Sequence, residues 1–365
     1  MIRIINLVGA RPQFIKAAMI SRELRTNYAH EVEEILVHSG QHYDFNLSGI
    51  FFEQLGLEEP KYHLGATSEN SEEQEAVLTT ALQNVIEQEL PKVIVVYGDT
   101  TTTRVGAEVA SKNNIPIAHI EAGLRSYNAN MPEEINRVIT DKLSTFLFVP
   151  TQPAIKNLAL EGLNNSDLPK PGQPLIREVG DIMIDSLRVF GKKAVLLKEI
   201  EHKLDERPIL LVTIHRNYNA DEPRKLDELI KALEQQTHHY QVVFPVHPRT
   251  AKNLNVQDSP ITFLPPISYL DMIALEQKAT MILTDSGGVQ KEAYYFEKPL
   301  IILRSETEWT ELIDHKLAVL SGLSSKEIAS SINYFKMNEY NAIPGIYGDG
   351  YAAERICKEL VSQLK

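Results

Sequence analysis

A chain of 365 residues, 43% hydrophobic and 24% charged, is long enough for about two globular domains with sizeable cores. Its formal charge of -12 argues against broad binding to nucleic acid or anionic membranes, so an anionic ligand needs a local basic pocket. A single cysteine, Cys357, excludes an internal disulfide framework and a cysteine-rich metal site and suits a reducing, cytoplasmic setting, while no apolar run approaches the roughly 18 residues of a membrane span.

Short β-branched runs alternate with amphipathic stretches, the pattern of βα units around parallel sheets. The first expected strand, Ile2–Val8, feeds the turn Gly9-Ala10-Arg11-Pro12 and a helix that carries Lys16. Two cations at a helix start oppose the helix dipole, which points to a bound anion. Arg11 can pair bidentately with a phosphate or carboxylate, and Lys16, about one turn on, adds a point charge. After a strand at 33–38, the strand Val93–Tyr97 ends in Gly98-Asp99-Thr100, which puts Asp99 at a strand tip, as a helix cap or as an acid/base group. The strand Ile117–Ile120 ends in Glu121-Ala122-Gly123-Leu124-Arg125. A carboxylate at a strand tip before a glycine turn suits a site, an ion pair of Glu121 with Arg125 being the plain alternative. Pro132-Glu133-Glu134 is ordinary helix-start chemistry, and taken alone it makes Glu133 structural.

A strand at 145–149 closes the first half. The stretch 162–180, rich in Pro, Gly and Asn, and the polar stretch 191–207 set the expected domain boundary. The domains are expected at 1–180 and 181–350, with a C-terminal helix, 351–365, crossing back to the first. In the second half the strand Ile209–Thr213 leads to His215-Arg216, and Gln241–Pro245 leads to His247. His215 can carry a proton near neutral pH or donate to phosphate. Neither histidine has metal-site spacing, so no metal is expected. After Thr262–Leu264, the strand at 280–283 opens through Asp285-Ser286-Gly287-Gly288 into a helix. Cap residues, two glycines and exposed amides favour a phosphate there. Arg304 follows the last strand, 300–303. Ligands of such sheets sit at the carboxyl ends of the strands, so two facing domains are expected to share one cleft.

Together these residues resemble one family over nearly the whole chain, the non-hydrolysing UDP-N-acetylglucosamine 2-epimerases. The markers are Gly9-Ala10-Arg11-Pro12 with Lys16, Ser39-Gly40-Gln41-His42-Tyr43-Asp44, Tyr97-Gly98-Asp99-Thr100 and His119-Ile120-Glu121-Ala122-Gly123-Leu124-Arg125. They continue with Pro132-Glu133-Glu134-Ile135-Asn136-Arg137, Thr213-Ile214-His215-Arg216, the run from Thr284 to Glu292, and Tyr347-Gly348-Asp349-Gly350. The resemblance implies a GT-B-like α/β fold, two Rossmann-type doubly wound parallel-sheet domains with an interdomain cleft. It also implies a cofactor-free reaction in which UDP is eliminated to 2-acetamidoglucal and added back with C2 reprotonated on the other face. Asp99, Glu121 and Glu133 then form the proton-transfer set, with His215 assisting, and mutual burial is expected to raise the pKa of at least one carboxylate. Arg11, Ser286, Gly287 and Gly288 hold the phosphates, Lys16 lies near the sugar or phosphates, Glu292 binds ribose, and Arg304 lines the cleft. A cytoplasmic homodimer acting on a UDP-sugar for cell-surface polysaccharide synthesis is implied as well.

One departure bears on the substrate. Where many members acting on UDP-N-acetylglucosamine have Thr-Glu-Arg-Pro-Glu, this chain has Thr307-Glu308-Trp309-Thr310-Glu311. With Gln41-His42-Tyr43-Asp44, that form is similar to the branch acting on UDP-2,3-diacetamido-2,3-dideoxyglucuronic acid, an O-antigen precursor. A GT-B glycosyltransferase is the more distant alternative.

Overall fold

The computed structural model describes residues 1–40, 52–67, 70–254 and 258–365; the Gln41-His42-Tyr43-Asp44 motif lies outside the described residues. The chain divides into two compact units, Met1–Ser186 with Tyr347–Lys365, and Leu187–Ile346. The division falls inside the helix Ile182–Phe190, later than the expected 180/181.

In the first unit the strands are β1 (Ile2–Val8), β2 (Val32–His38), β3 (Tyr62–His63), β4 (Val93–Tyr97), β5 (Ile117–Ile120), β6 (Phe146–Val149) and β7 (Leu175–Glu178). They form one parallel sheet in the order β3-β2-β1-β4-β5-β6-β7. Strands covered on both faces read as unbroken apolar runs, and β4 and β6 are buried at every position. Ile5, Leu7 and Ile94 of the sheet pack with Leu78 and Leu82 of the helix Ser71–Glu89 and with Val105 of the helix Thr101–Lys112. β7 lies inside the stretch expected to be linker. Its apolar pair, Leu175 and Ile176, docks beside Phe146 and Leu147 of β6.

The second unit contains β8 (Ile209–Thr213), β9 (Gln241–Pro245), β10 (Thr262–Leu264), β11 (Ala279–Thr284), β12 (Leu300–Ile302) and β13 (Ala318–Leu320). They too are parallel, in the order β10-β9-β8-β11-β12-β13. In both sheets the direction of chain progression reverses once, between β1 and β4 and between β8 and β11. Connections leave to opposite faces at such a point and open a crevice at the carboxyl ends of the strands. Register sets Asn6 beside Val95 and Thr213 beside Thr284, so the two loops at each switch point begin side by side.

The last residues belong to the first unit. Asp185 accepts the amides of Ala352 (2.9 Å) and Ala353 (2.7 Å), capping the helix Ala352–Leu364, which packs against the helix Arg11–Asn27. Gly180 and Gly348 let the two backbones touch: both have left-handed φ (+88° and +90°), and a Cβ on Gly348 would lie 3.0 Å from Gly180 Cα. Among the described residues, no helix is long and apolar enough to cross a membrane.

Candidate active site

At the switch point of the first unit, Gln13 ties the two loops together. Its Oε1 accepts the amides of Gly9 (2.8 Å) and Ala10 (3.0 Å), and its Nε2 donates to Tyr97 O (2.9 Å) and to the hydroxyls of Thr100 and Thr103. A buried side-chain amide with every bond satisfied holds both loops rigid. Arg11 opens the following helix as an exposed residue, and Lys16 is buried one turn later. Lys16 Nζ lies 2.8 Å from Glu121 Oε2, with side-chain exposures of 7% and 11%. Glu121 adopts a left-handed φ of +69°, which a non-glycine residue holds only where its surroundings fix it. Both its own amide and that of Ala122 bond Phe148 O at 3.1 Å.

Asp99, at the tip of β4, pairs with Arg137 of the helix Pro132–Leu143, and Asn136 of that helix donates to Asp99 O at 2.8 Å. Asp99 and Glu121 therefore each arrive with a cation. Glu133 stands half-buried on the first turn of the same helix. The neighbouring Glu134 does the local structural work, accepting the amides of Ser126 (2.8 Å) and Tyr127 (3.1 Å) and pairing with Arg137.

Beneath these loops lies a buried charge network. His119 Nδ1 is 2.7 Å from Asp141 Oδ1, and its Nε2 is 2.7 Å from Gly98 O. Asp141 also accepts the Gly123 amide (3.1 Å) and Arg125 (2.8 Å). Arg125 reaches on to Glu161, so the Glu121–Arg125 pair considered from sequence gives way to Arg125 with Asp141 and Glu161. Burial opposes the charge on Asp141, but His119 and Arg125 more than offset it and hold its carboxyl below the usual range.

At the switch point of the second unit Asp285 is the organiser. Its carboxylate accepts the amides of His215 (3.1 Å) and Arg216 (3.0 Å), Asn219 Nδ2 (3.0 Å), and His215 Nδ1 (2.9 Å). Burial works against its charge, yet these donors hold it below the ordinary Asp range. The contact to a carboxylate places a proton on His215 Nδ1, which leaves Nε2 of a side chain 38% exposed as the second functional nitrogen. Ser286 caps the helix Gly287–Tyr295, its Oγ accepting Val289 N at 3.4 Å. A Cβ on Gly287 would meet Trp309 Nε1 at 3.6 Å, and one on Gly288 would meet Ser286 Oγ at 3.8 Å, both ordinary contacts. Glu292 is buried on this helix, and Lys291 Nζ stands 4.3 Å above the Trp309 ring. Arg304, expected to line a cleft, is enclosed and doubly bonded to Glu308 (2.8 and 3.3 Å). Among the described residues, no cluster of three His, Cys, Asp or Glu side chains could hold a metal.

Gln13, Arg137 and Asp141 were not marked by the sequence as site-building residues, and Asp285 was expected only as a turn and cap residue. Gln13, Arg137 and Asp285 sit within or beside quoted motifs, which was the available signal. Chemically, the first unit offers carboxylates with adjacent proton-bearing cations. The second offers an oriented imidazole beside an amide-rich helix start.

A family model described as UDP-N-acetylglucosamine 2-epimerase matches residues 24–361. A Pseudomonas aeruginosa protein named UDP-2,3-diacetamido-2,3-dideoxy-D-glucuronate 2-epimerase is 40% identical over 362 residues, covering 98% of this chain and 99% of its own. A Methanocaldococcus jannaschii UDP-N-acetylglucosamine 2-epimerase is 35% identical over 365 residues, 97% of each chain. The crystal structure of the Methanocaldococcus jannaschii UDP-GlcNAc 2-epimerase in complex with UDP-GlcNAc and UDP matches with a TM-score of 0.89 at 34% identity, covering 99% of this chain and 100% of that one. The two parallel-sheet units are those of the GT-B-like class. The chain belongs to the UDP-N-acetylglucosamine 2-epimerase family of isomerases.

Proposed function

We propose that the chain epimerises C2 of a UDP-2-acetamido sugar. The C2–H bond breaks and its electron pair forms the C1=C2 bond of a glycal, while the C1–O bond breaks with its electrons passing to the β-phosphate of UDP. UDP then adds back at C1 as C2 takes a proton on its other face. Such a cycle needs a base, an acid and a hold on the departing pyrophosphate. Asp99, Glu121 and Glu133 move the protons. Lys16, in contact with Glu121, is a further proton-bearing group at the same point. The Ser286-Gly287-Gly288 turn and Arg11 hold the phosphates, with His215 Nε2 as an added donor, and Glu292 receives the ribose hydroxyls. Arg304, paired with Glu308, lines the same UDP site.

The observation that supports this most is the placement of Asp99 and Glu121 at the tips of the adjacent strands β4 and β5, each with its own cation. UDP-N-acetylglucosamine is the first substrate to test. UDP-2,3-diacetamido-2,3-dideoxyglucuronic acid is the second, favoured by Trp309 and by the likeness to the Pseudomonas aeruginosa protein. The enzyme then works in the cytoplasm as a homodimer and feeds synthesis of a cell-surface polysaccharide such as an O-antigen. Proton NMR of UDP-N-acetylglucosamine with the protein in heavy water tests the chemistry. The manno epimer with deuterium at C2 is expected. Silence with UDP still bound moves the test to the diacetamido uronate, and inactivity on both would reject epimerisation in favour of sugar transfer.

A further inference from the structure

Glu276 is fully enclosed on the helix Tyr269–Lys278, and among the described residues neither of its carboxyl oxygens has a hydrogen-bond donor. Its polar neighbour is another carboxyl group, that of Glu292 on the adjacent helix Gly287–Tyr295, which is also buried. Two bare carboxylates in so dry a place repel strongly and cannot bond each other. One proton between them turns repulsion into a short charge-assisted O–H···O bond. The remaining groups decide which residue holds it. Glu292 also receives the Tyr269 hydroxyl and lies in the field of the Lys291 ammonium, whereas among the described residues Glu276 faces only Glu292. The strands β8 and β11, which pack on the Glu276 helix, carry no ionisable side chain. Burial first, and the Glu292 charge second, drive the Glu276 carboxyl well above its usual range. Glu292 is raised by burial too, but Glu276, Lys291 and Tyr269 all pull it back.

The geometry points to Glu276 as a proton-carrying positioning residue that donates to Glu292 and fixes its carboxylate to receive the ribose hydroxyls of the nucleotide. The inference rests on the UDP site proposed above. Its consequence is that the nucleotide grip depends on a proton that is not on the nucleotide. Loss of that proton at alkaline pH sets two charges against each other and turns the Glu292 carboxylate away from its ligand.

Two measurements on the full chain test this. Infrared difference spectra at pH 7 between the wild type and Glu276→Gln should show the carbonyl stretch of a protonated carboxylic acid in the wild type, absent from the variant. No such band would overturn the proposal whatever the ligand. Calorimetric titration with UDP from pH 6.5 to 9 should show affinity falling at alkaline pH in the wild type. In Glu276→Gln, whose amide can still donate, the fall should be lost and affinity at neutral pH should stay within about twofold; Glu276→Leu, with no donor, should bind about tenfold more weakly. Comparing variants cancels the ionisations of UDP itself. An alkaline fall unchanged in Glu276→Gln, or a loss in Glu276→Gln equal to that in Glu276→Leu, would overturn the positioning role alone. Absence of UDP binding by the wild type would instead overturn the nucleotide site, and this role with it.

Discussion

Lys16 Nζ and Glu121 Oε2 stand 2.8 Å apart in a place where little of either side chain reaches solvent. An enclosed ion pair adds little net stability, but removing one member takes away the charge that compensates the other. Lys16→Met should therefore lower unfolding stability by about 3 kcal/mol, while adding Glu121→Gln should recover most of that loss. Urea denaturation of the two variants measures both steps. Equal losses in the single and double variants would mean that the pair is not coupled.

Asp99→Asn keeps the size of the side chain and removes the charge facing Arg137. Turnover should fall roughly 10²- to 10⁴-fold, the usual contribution of a positioned acid or base, with UDP affinity nearly unchanged. Deuterium entry at C2 and calorimetric UDP binding separate the two effects. A variant that still exchanges the C2 proton would remove Asp99 from the mechanism.

Gly9 and Gly287 should respond differently to alanine. A Cβ on Gly9 would collide with the Ser39 and Thr102 hydroxyls, which bond each other at 2.8 Å, so Gly9→Ala should destabilise the protein by about 1–3 kcal/mol. Gly287→Ala meets only an ordinary contact with Trp309 and should melt like the wild type. It should nonetheless bind UDP more weakly, because the methyl occupies the approach of a phosphate. Arg11→Ala should weaken UDP binding by roughly 2–4 kcal/mol without a large change in melting. Unaltered UDP affinity in both variants would mean that the pyrophosphate lies elsewhere.

Acid should weaken the second unit through Asp285. Its folded pKa lies below the ordinary Asp value of 3.8, so the stability it contributes is complete above 3.8 and is lost as pH falls through the lower folded value. The stability gap between wild type and Asp285→Asn should be flat from about pH 7 to 5 and shrink below about pH 4. Denaturation midpoints across that range check it, and a gap that widens in acid would reverse the assigned sign.

The interior strands of both sheets were legible because their apolar runs are dense and flanked by turn chemistry. Of the edge strands β10 was expected, while β3, β7 and β13 were not. Tyr62-His63 is too short to display a period, and β7 hides among prolines and glycines. Candidate side chains at strand tips were legible for the same reason as the strands. Their partners were not, because Arg137 meets Asp99 across 38 positions and Asp285 meets His215 across 70, distances over which only the assembled sheet sets who meets whom. Arg304 hides its partner in the same way: a cation after a strand reads as a ligand group, and its pairing with Glu308, four residues on in a stretch without helix, shows only in the folded chain.

Trp309 is the sole tryptophan of the chain, and its indole nitrogen is the nearest neighbour to the open side of Gly287. Indole emission from this protein therefore originates at a single point, under the ammonium of Lys291 and beside the turn that begins the Gly287–Tyr295 helix. The native sequence has in effect installed one chromophore there, and its fluorescence reports on that turn without a label or an engineered probe.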